Sequence, residues 1–384
     1  MNVKEFDVVL YGATGFTGRQ SVDYFRHHAP AGLRWVIAGR NREKLEAIGA
    51  GVPVLVADSA DQAQLDALVA RTRVVLTTAG PFKLYANGLV EACVRLGAHY
   101  VDIGGEPTWI KLVMERHHRQ AEERKLKIVP GCGVCSVPVD LGVFLLEEKL
   151  GNRLVEARSY IKIAGGSFNG GTIANESLSY ASGDIKQTRN PFLLGPRLSR
   201  PLKAIEHDPQ FVRYDRQIHA WIAPCPMGVS DTRTVRRSIA LRGHDFPFQE
   251  YITFDGGSGL LQALGITAAV STMNAALAFG PTRNLLQKML PPGSGPTDQA
   301  MDAGSYECRI VGRTAEGAQE EVSMRVAGDP GNRVTVKCVC ESALALAINE
   351  ADLPQRFGVL TPSVAIGHAL VARLAGAGFE VKPA

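Results

Sequence analysis

The chain opens on a short apolar run, Val8-Val9-Leu10, that breaks at Gly12, Gly15 and Gly18, after which Phe16 to His27 carries a helical spacing. Apolar runs then return at Leu33–Ala38, Pro53–Ala57, Val74–Thr78, His99–Ile103 and Leu126–Pro130. Helical patterns lie between them, clearest over Asn87–Leu96 and Thr108–Arg124. Strands alternating with helices call for a parallel sheet with right-handed crossovers. The expectation is an α/β chain whose residues 1–135 form a doubly wound, Rossmann-type domain.

Beyond that point the pattern changes. A helix over Pro138–Leu150 is followed by alternating strands at Val155–Ile163, Val235–Leu241, Phe248–Phe254, Tyr306–Val311 and Glu321–Val326. These predict a second α+β domain, residues 136–350, with a mixed or antiparallel sheet. A Ser/Thr-rich helix is expected over Phe168–Gly183, an irregular stretch over Thr188–Ile218 and a loop at Pro291–Pro296. Closing helices are expected over Val334–Asn349 and Thr361–Ala375, with residues 351–384 packing back on the first domain.

A strand, a glycine turn and a helix in that order aim backbone N–H groups at a phosphate. Gly12 serves the tight turn, Gly15 the close approach of a pyrophosphate and Gly18 the packing of helix on strand. Ala13, Thr14, Phe16 and Thr17 complete that cradle. The second strand ends in Gly39-Arg40-Asn41-Arg42, where an NAD-binding fold usually places an acid for the ribose hydroxyls. Two guanidinium groups match a 2′-phosphate, so NADP(H) is expected rather than NAD(H). Asp58 stands within reach of the adenine, and Thr78, Ala79, Gly80 and Pro81 should shape the nicotinamide end, with Phe82 as a wall.

Composition narrows the class. Of 384 residues, 45% are apolar and 21% charged, and the net charge of +4 comes from scattered Lys and Arg, which argues against nucleic acid as a partner. Seven cysteines without framework spacing, and no leader ahead of the first strand, point to the cytoplasm. The Cys132/Cys135 pair lacks further ligands for zinc, so no metal is expected. From Gly256 to Thr282 no residue is charged. Gln262, Thr267, Ser271, Thr272 and Asn274 interrupt its apolar run, so a buried or surface-docked helix is expected before peripheral membrane contact, and a true span last.

The motifs Val9-Leu-Tyr-Gly-Ala-Thr-Gly-Phe-Thr-Gly18, Ala38-Gly-Arg-Asn41, Leu76-Thr-Thr-Ala-Gly-Pro81 and Tyr100-Val-Asp-Ile-Gly-Gly-Glu106 recur in one known family. So do Ser136-Val-Pro-Val-Asp-Leu-Gly142, Gly170-Gly-Thr172 and Asp231-Thr-Arg-Thr-Val-Arg-Arg-Ser238. With them the chain resembles the saccharopine dehydrogenase-like oxidoreductases, in particular the subgroup of trans-acting enoyl reductases. The resemblance implies NADPH-dependent reduction, and its members act on saccharopine or on enoyl thioesters, or associate with lipids. Where the subgroup reads C-G-F-D-S-I-P-S-D-L-G, this chain has Cys132-Gly-Val-Cys-Ser-Val-Pro-Val-Asp-Leu-Gly142, so the acid is replaced by Cys135.

Hydride transfer leaves the protein to supply position and a proton. Tyr85, Asp102, Glu106, Cys132 and Ser136 stand at the crevice loops as candidates, with Tyr85 the preferred donor and Glu106 alternatively a helix cap. Arg189, Arg233 and Arg236 are candidates for a substrate carboxylate or phosphate, or else salt-bridge partners, and His117 and His118 are expected as surface residues rather than ligands. The leading expectation is reduction of a C=C bond in an acyl or lipid-like small molecule, because the uncharged segment offers an apolar surface. A saccharopine-type amino-acid or imine reductase is the second, and a non-catalytic NADP(H) sensor or scaffold the third. A homodimer fits any of them.

Overall fold

The computed structural model describes residues 4–49, 51–166, 168–196 and 200–382. Positions 197–199 of the expected irregular stretch lie outside the described residues. The first sheet is built from β1 (Phe6–Tyr11), β2 (Trp35–Gly39), β3 (Val54–Val56), β4 (Thr72–Thr77), β5 (His99–Asp102) and β6 (Lys127–Val129). The second holds β7 (Leu154–Ala164), β8 (Arg213–Asp215), β9 (Ala220–Pro224), β10 (Phe248–Phe254), β11 (Ser305–Thr314) and β12 (Gln319–Ala327). The chain ends with β13 (Gly358–Val359), which joins the first sheet, and β14 (Glu380–Lys382), which joins the second.

The first sheet is parallel throughout, in the order β13-β6-β5-β4-β1-β2-β3, so the strand order reverses between β1 and β4. All six residues of β1 are buried, as a central strand covered on both faces requires. Val8 and Leu10 enter one core with Val74, Leu76 and Val101, while Val9 and Tyr11 enter the other with Val75 and Tyr100. The helix Thr335–Ile348, expected in the second domain, packs against β1, β4 and β5 and covers one face of the first sheet. Its buried Val339, Ala343 and Leu346 belong to a core continuous with the helix Val137–Leu150 and with β11, so one apolar layer ties both sheets together.

The second sheet is mixed, in the order β14-β12-β11-β7-β10-β9-β8, with β10 parallel to β7 and its other pairs antiparallel. Two expectations fail here. Val235–Leu241 is the end of a helix, Gly228–Leu241, not a strand. Its inward face buries Asp231, Thr232, Arg233, Thr234 and Arg236 beside Val235 and Ile239, so polarity hides the helical period. In and just after the stretch read as irregular, β8 and β9 pair at the sheet edge.

The uncharged segment forms the helix Gly259–Ala278 and enters the helix Gly280–Met289. It is docked on the surface rather than buried. Ala263 and Leu277 are its inward contacts, and a Cβ on Gly259 would stand 2.7 Å from the Phe254 carbonyl oxygen.

Candidate active site

The glycine turn sits at the reversal of strand order, where an open α/β sheet leaves its crevice. Gly12 has φ +86°, and a Cβ there would lie 3.0 Å from both the Cβ and the amide nitrogen of Ala79. A Cβ on Gly18 would come within 2.1 Å of the Gly12 carbonyl oxygen. Gly15 is the N-cap of the helix Phe16–His28 and brings no capping side chain, so the first-turn N–H groups stay available to an anion. Ala13 and Thr17 are buried beneath the turn, and the Thr14 carbonyl is held by Arg19 at 2.7 Å. Phe16 is covered by the Pro291–Pro296 loop, where a Cβ on Gly295 would lie 2.3 Å from its ring.

At the end of β2, the Asn41 side chain caps the helix Arg42–Ala47 by accepting from the Lys44 amide at 2.9 Å. Arg42 pairs with Glu46 at 3.3 Å. Arg40 is exposed, and among the described residues no carboxylate pairs with it. Asp58 accepts from the Ala60 amide at 2.9 Å, which orders the turn after β3. Thr78 donates from Oγ1 to the Gly12 carbonyl at 3.3 Å, tying the β4 loop to the glycine turn. The helix N-terminus left uncapped at Gly15, with the turn packed closely on Ala79 and on the helix through Gly12 and Gly18, suits a dinucleotide.

At the other end of the crevice, the second domain reaches across. A Cβ on Gly80, which precedes Pro81, would meet Asn175 Oδ1 at 3.1 Å and the Phe82 ring at 3.3 Å. Asn175 and Glu176 lie on the helix Gly170–Ser182, and Ser230 of the helix Gly228–Leu241 donates to the Gly105 carbonyl. Gly104 stands between two acids, since a Cβ there would lie 3.1 Å from Asp102 Oδ1, 3.2 Å from Glu106 Oε2 and 3.2 Å from Phe82.

Those two carboxyls differ in what holds them. Asp102 Oδ1 accepts from the amides of Gly104 at 2.7 Å and Gly131 at 2.9 Å, whereas its Oδ2 has no partner. Burial pushes it up to about 6 against the pull of those amides. Glu106 occupies the N-cap of the helix Pro107–Glu123, yet its side chain makes no capping bond and Oε2 is unpartnered. Burial, then the charges of Asp102 and Glu176, push Glu106 up to about 8, so it holds its proton at neutral pH. A neutral acid beside a mostly ionised one is the arrangement that separates the two roles of a carboxyl pair.

Other candidates do not join them. Tyr85 ends the four-residue helix Phe82–Tyr85 and is 39% exposed. The Cys132 thiol is fully buried in the core and donates to the Val129 carbonyl at 3.2 Å, and burial pushes it well above its ordinary range. It is a core residue. Ser136 is buried and begins the helix Val137–Leu150. The terminal nitrogens of Arg233 are taken by Asp208 at 2.6 Å, the Thr232 hydroxyl and the Thr188 carbonyl. Arg236 donates to the carbonyls of Pro191, Glu206 and Phe248. Between them they hold Thr188, Pro191, Glu206 and Asp208 in place, and Arg189 is exposed. Among the described residues no group of three or more His, Cys, Asp or Glu could hold a metal.

The residues missed from sequence are Asn175, Glu176 and Ser230, together with the buried acids Asp231 and Glu250. Asp231 and Glu250 are both raised by burial, and their four side-chain oxygens lack hydrogen-bond partners. The single signal was the motif around Asp231, which marked the element without a role.

Residues 8–129 match the saccharopine dehydrogenase NADP-binding domain. A Mycobacterium tuberculosis H37Rv protein, provisionally named a trans-acting enoyl reductase, is 34% identical over 99% of this chain and 97% of its own. The chain belongs to the trans-acting enoyl reductase family. A second trans-acting enoyl reductase, from Mycobacterium bovis, is 31% identical over 98% of this chain and 97% of that one. Among solved structures, apo saccharopine dehydrogenase (L-Glu forming) from Saccharomyces cerevisiae shares the fold, with a TM-score of 0.54 at 13% identity, covering 98% and 99% of the two chains. The crevice of this family member is thus an NADP-binding one, and the chain is an oxidoreductase.

Proposed function

We propose that the chain reduces the conjugated C=C bond of an enoyl thioester, or a like acyl substrate, with NADPH. Supporting this reading above all is the buried Glu106, its Oε2 unpartnered and its carboxyl pushed up to about 8, at the nicotinamide end beside Asp102 and within a crevice closed by Asn175. NADPH, when bound, would supply a hydride for the β-carbon, with the C=C electron pair displaced toward the carbonyl oxygen. Glu106 holds the proton that the α-carbon then takes, and Asp102 keeps Glu106 neutral until that moment. Asn175 stands where its amide can donate to the carbonyl oxygen as charge develops there. The Gly104 amide is committed to Asp102 at 2.7 Å.

Reduction of an amino-acid imine calls for cations that hold substrate carboxylates. Arg233 and Arg236 are occupied by Asp208 and by backbone carbonyls. The seven cysteines are unpaired, which accords with work in a reducing cytoplasm.

The test is a single-turnover experiment on the NADPH-loaded chain. Mixing with a 2-enoyl thioester is expected to oxidise one equivalent of NADPH, whereas a 2-oxo acid with an amine leaves it unchanged. The opposite result overturns the reading, and tight NADPH binding without oxidation by either would make the chain a sensor.

Cofactor choice gives a second expectation. Arg40→Ser should weaken NADPH binding by about ten- to a hundredfold and spare NADH, because charge-assisted bonds to the added phosphate are lost. Parallel fluorescence titrations check it; equal losses for the two nucleotides would remove Arg40 from the phosphate site.

A further inference from the structure

The helix Gly259–Ala278 presents more apolar surface than the fold uses. Of its twenty residues, Gly259, Ala263 and Leu277 are the buried ones. Leu261 is 73% exposed and Phe279 61%, and with Leu264, Ala268 and Ala275 they recur at helical spacing along one stripe. Met289, 68% exposed, and Leu285 extend the patch onto the helix Gly280–Met289. Contiguous exposed apolar area of this kind marks an interaction surface.

Charge states what covers it. Between Asp255 and Asp298 the charged residues are Arg283 and Lys288, both basic. The flanking acids are neutralised, Asp255 by Lys162 and Asp298 by Arg333 at 2.7 Å. An uncharged apolar helix followed by Arg283, which donates to the Leu277 carbonyl at 2.9 Å, and Lys288, neither paired with a carboxylate among the described residues, fits an anionic lipid surface, which takes apolar side chains below its headgroups and cations among them. A protein partner would more often meet an apolar centre ringed by polar groups.

The patch also adjoins the crevice. Both helices pack against the helix Gly170–Ser182, whose Asn175 and Glu176 face the nicotinamide end. The Gly170 amide donates to the Ser294 carbonyl at 3.0 Å, and the loop of Ser294 and Gly295 rests on Phe16 of the glycine turn.

We propose that residues 259–289 dock the protein on an anionic phospholipid bilayer, lying on it rather than spanning it, so that an acyl substrate enters the crevice from the lipid. Docking rests on the two helices alone; the delivery of substrate rests on the reductase reading above.

Flotation of the NADPH-loaded chain with vesicles of phosphatidylcholine, with and without phosphatidylglycerol, tests it. Partition should favour the anionic vesicles by about thirtyfold at low salt, the factor two cations near such a surface supply, and fall as salt rises. Leu261→Asp with Leu264→Asp should abolish flotation while circular dichroism and melting stay unchanged. Lys288→Glu should lower the anionic preference by about tenfold or more. Failure of the wild type to float, or a stable dimer in sedimentation velocity that the same leucine pair dissolves, would overturn the proposal. Because flotation involves no turnover, it can fail while enoyl reduction holds, or succeed while enoyl reduction fails.

Discussion

Replacing Glu106 by Gln is expected to lower the single-turnover rate of NADPH oxidation by about a hundred- to ten-thousandfold, the range that a positioned general acid supplies. NADPH affinity should stay unchanged, because Glu106 lies at the far end of the crevice from the glycine turn. Gln keeps the shape and the carbonyl but cannot release a proton to carbon. The pH dependence follows from the two states of Glu106. Burial and the neighbouring Asp102 raise it from 4.5 to about 8, so the wild-type rate should hold at neutral pH and fall above about 8. Asp102→Asn removes the like charge and should move that alkaline limb to lower pH. Tyr85→Phe should leave both rate and limb in place. A wild-type rate in Glu106→Gln would transfer the proton donation elsewhere.

The same group carries a stability consequence with the opposite sign to an ordinary ion-paired acid. Between pH 4.5 and about 8 the native state keeps a proton on Glu106 that the unfolded chain has released. The contribution of Glu106 to stability is therefore full below that window and is lost as pH rises through it. Glu106→Gln should flatten that part of the stability curve, a readout independent of catalysis.

How much of this was legible in the sequence depends on which physical signal each residue leaves. The glycine turn was readable because backbone geometry excludes other residues, and Gly12 and Gly18 stand in the contacts that exclusion requires. Asp102 and Glu106 could be named as candidates because a parallel strand must end at the crevice. Their different roles could not be named, because those depend on Gly104 and Gly131 amides holding one carboxyl and leaving the other free. Tyr85 and Cys132 share the same strand-end logic, yet one side chain turns to solvent and the other into the core.

The second domain was harder to read for one reason. Its helix Gly228–Leu241 buries Arg233 and Arg236 with their terminal nitrogens bonded and each Nε unpartnered, so apolar periodicity failed where hydrogen bonds offset much of the burial of charge. Asn175 comes to Gly80 only through the packing of one domain on the other, which no local pattern encodes.

Gly18→Ala carries the second large expectation, loss of both stability and nucleotide binding. An added Cβ would stand 2.1 Å from the Gly12 carbonyl oxygen, 2.9 Å from Ala13 Cα and 3.0 Å from Ala13 carbonyl carbon. All three are backbone atoms, so no side chain can turn aside, and either the helix or the turn must shift. Overpacking of this kind costs about 1–3 kcal/mol, and a rigid backbone contact falls at the upper end. The shift also carries the first-turn N–H groups away from the pyrophosphate, so NADPH affinity should fall with stability. Gly15→Ala separates the two effects. There the Cβ would lie 3.3 Å from the Gly12 carbonyl oxygen, which the turn can absorb, while the methyl group would stand in the path of the phosphates. Denaturant unfolding should therefore show a large loss for Gly18→Ala and a small one for Gly15→Ala, and titration should show weak NADPH binding in both. Wild-type stability with wild-type affinity in Gly18→Ala would mean that helix and strand do not meet at this glycine.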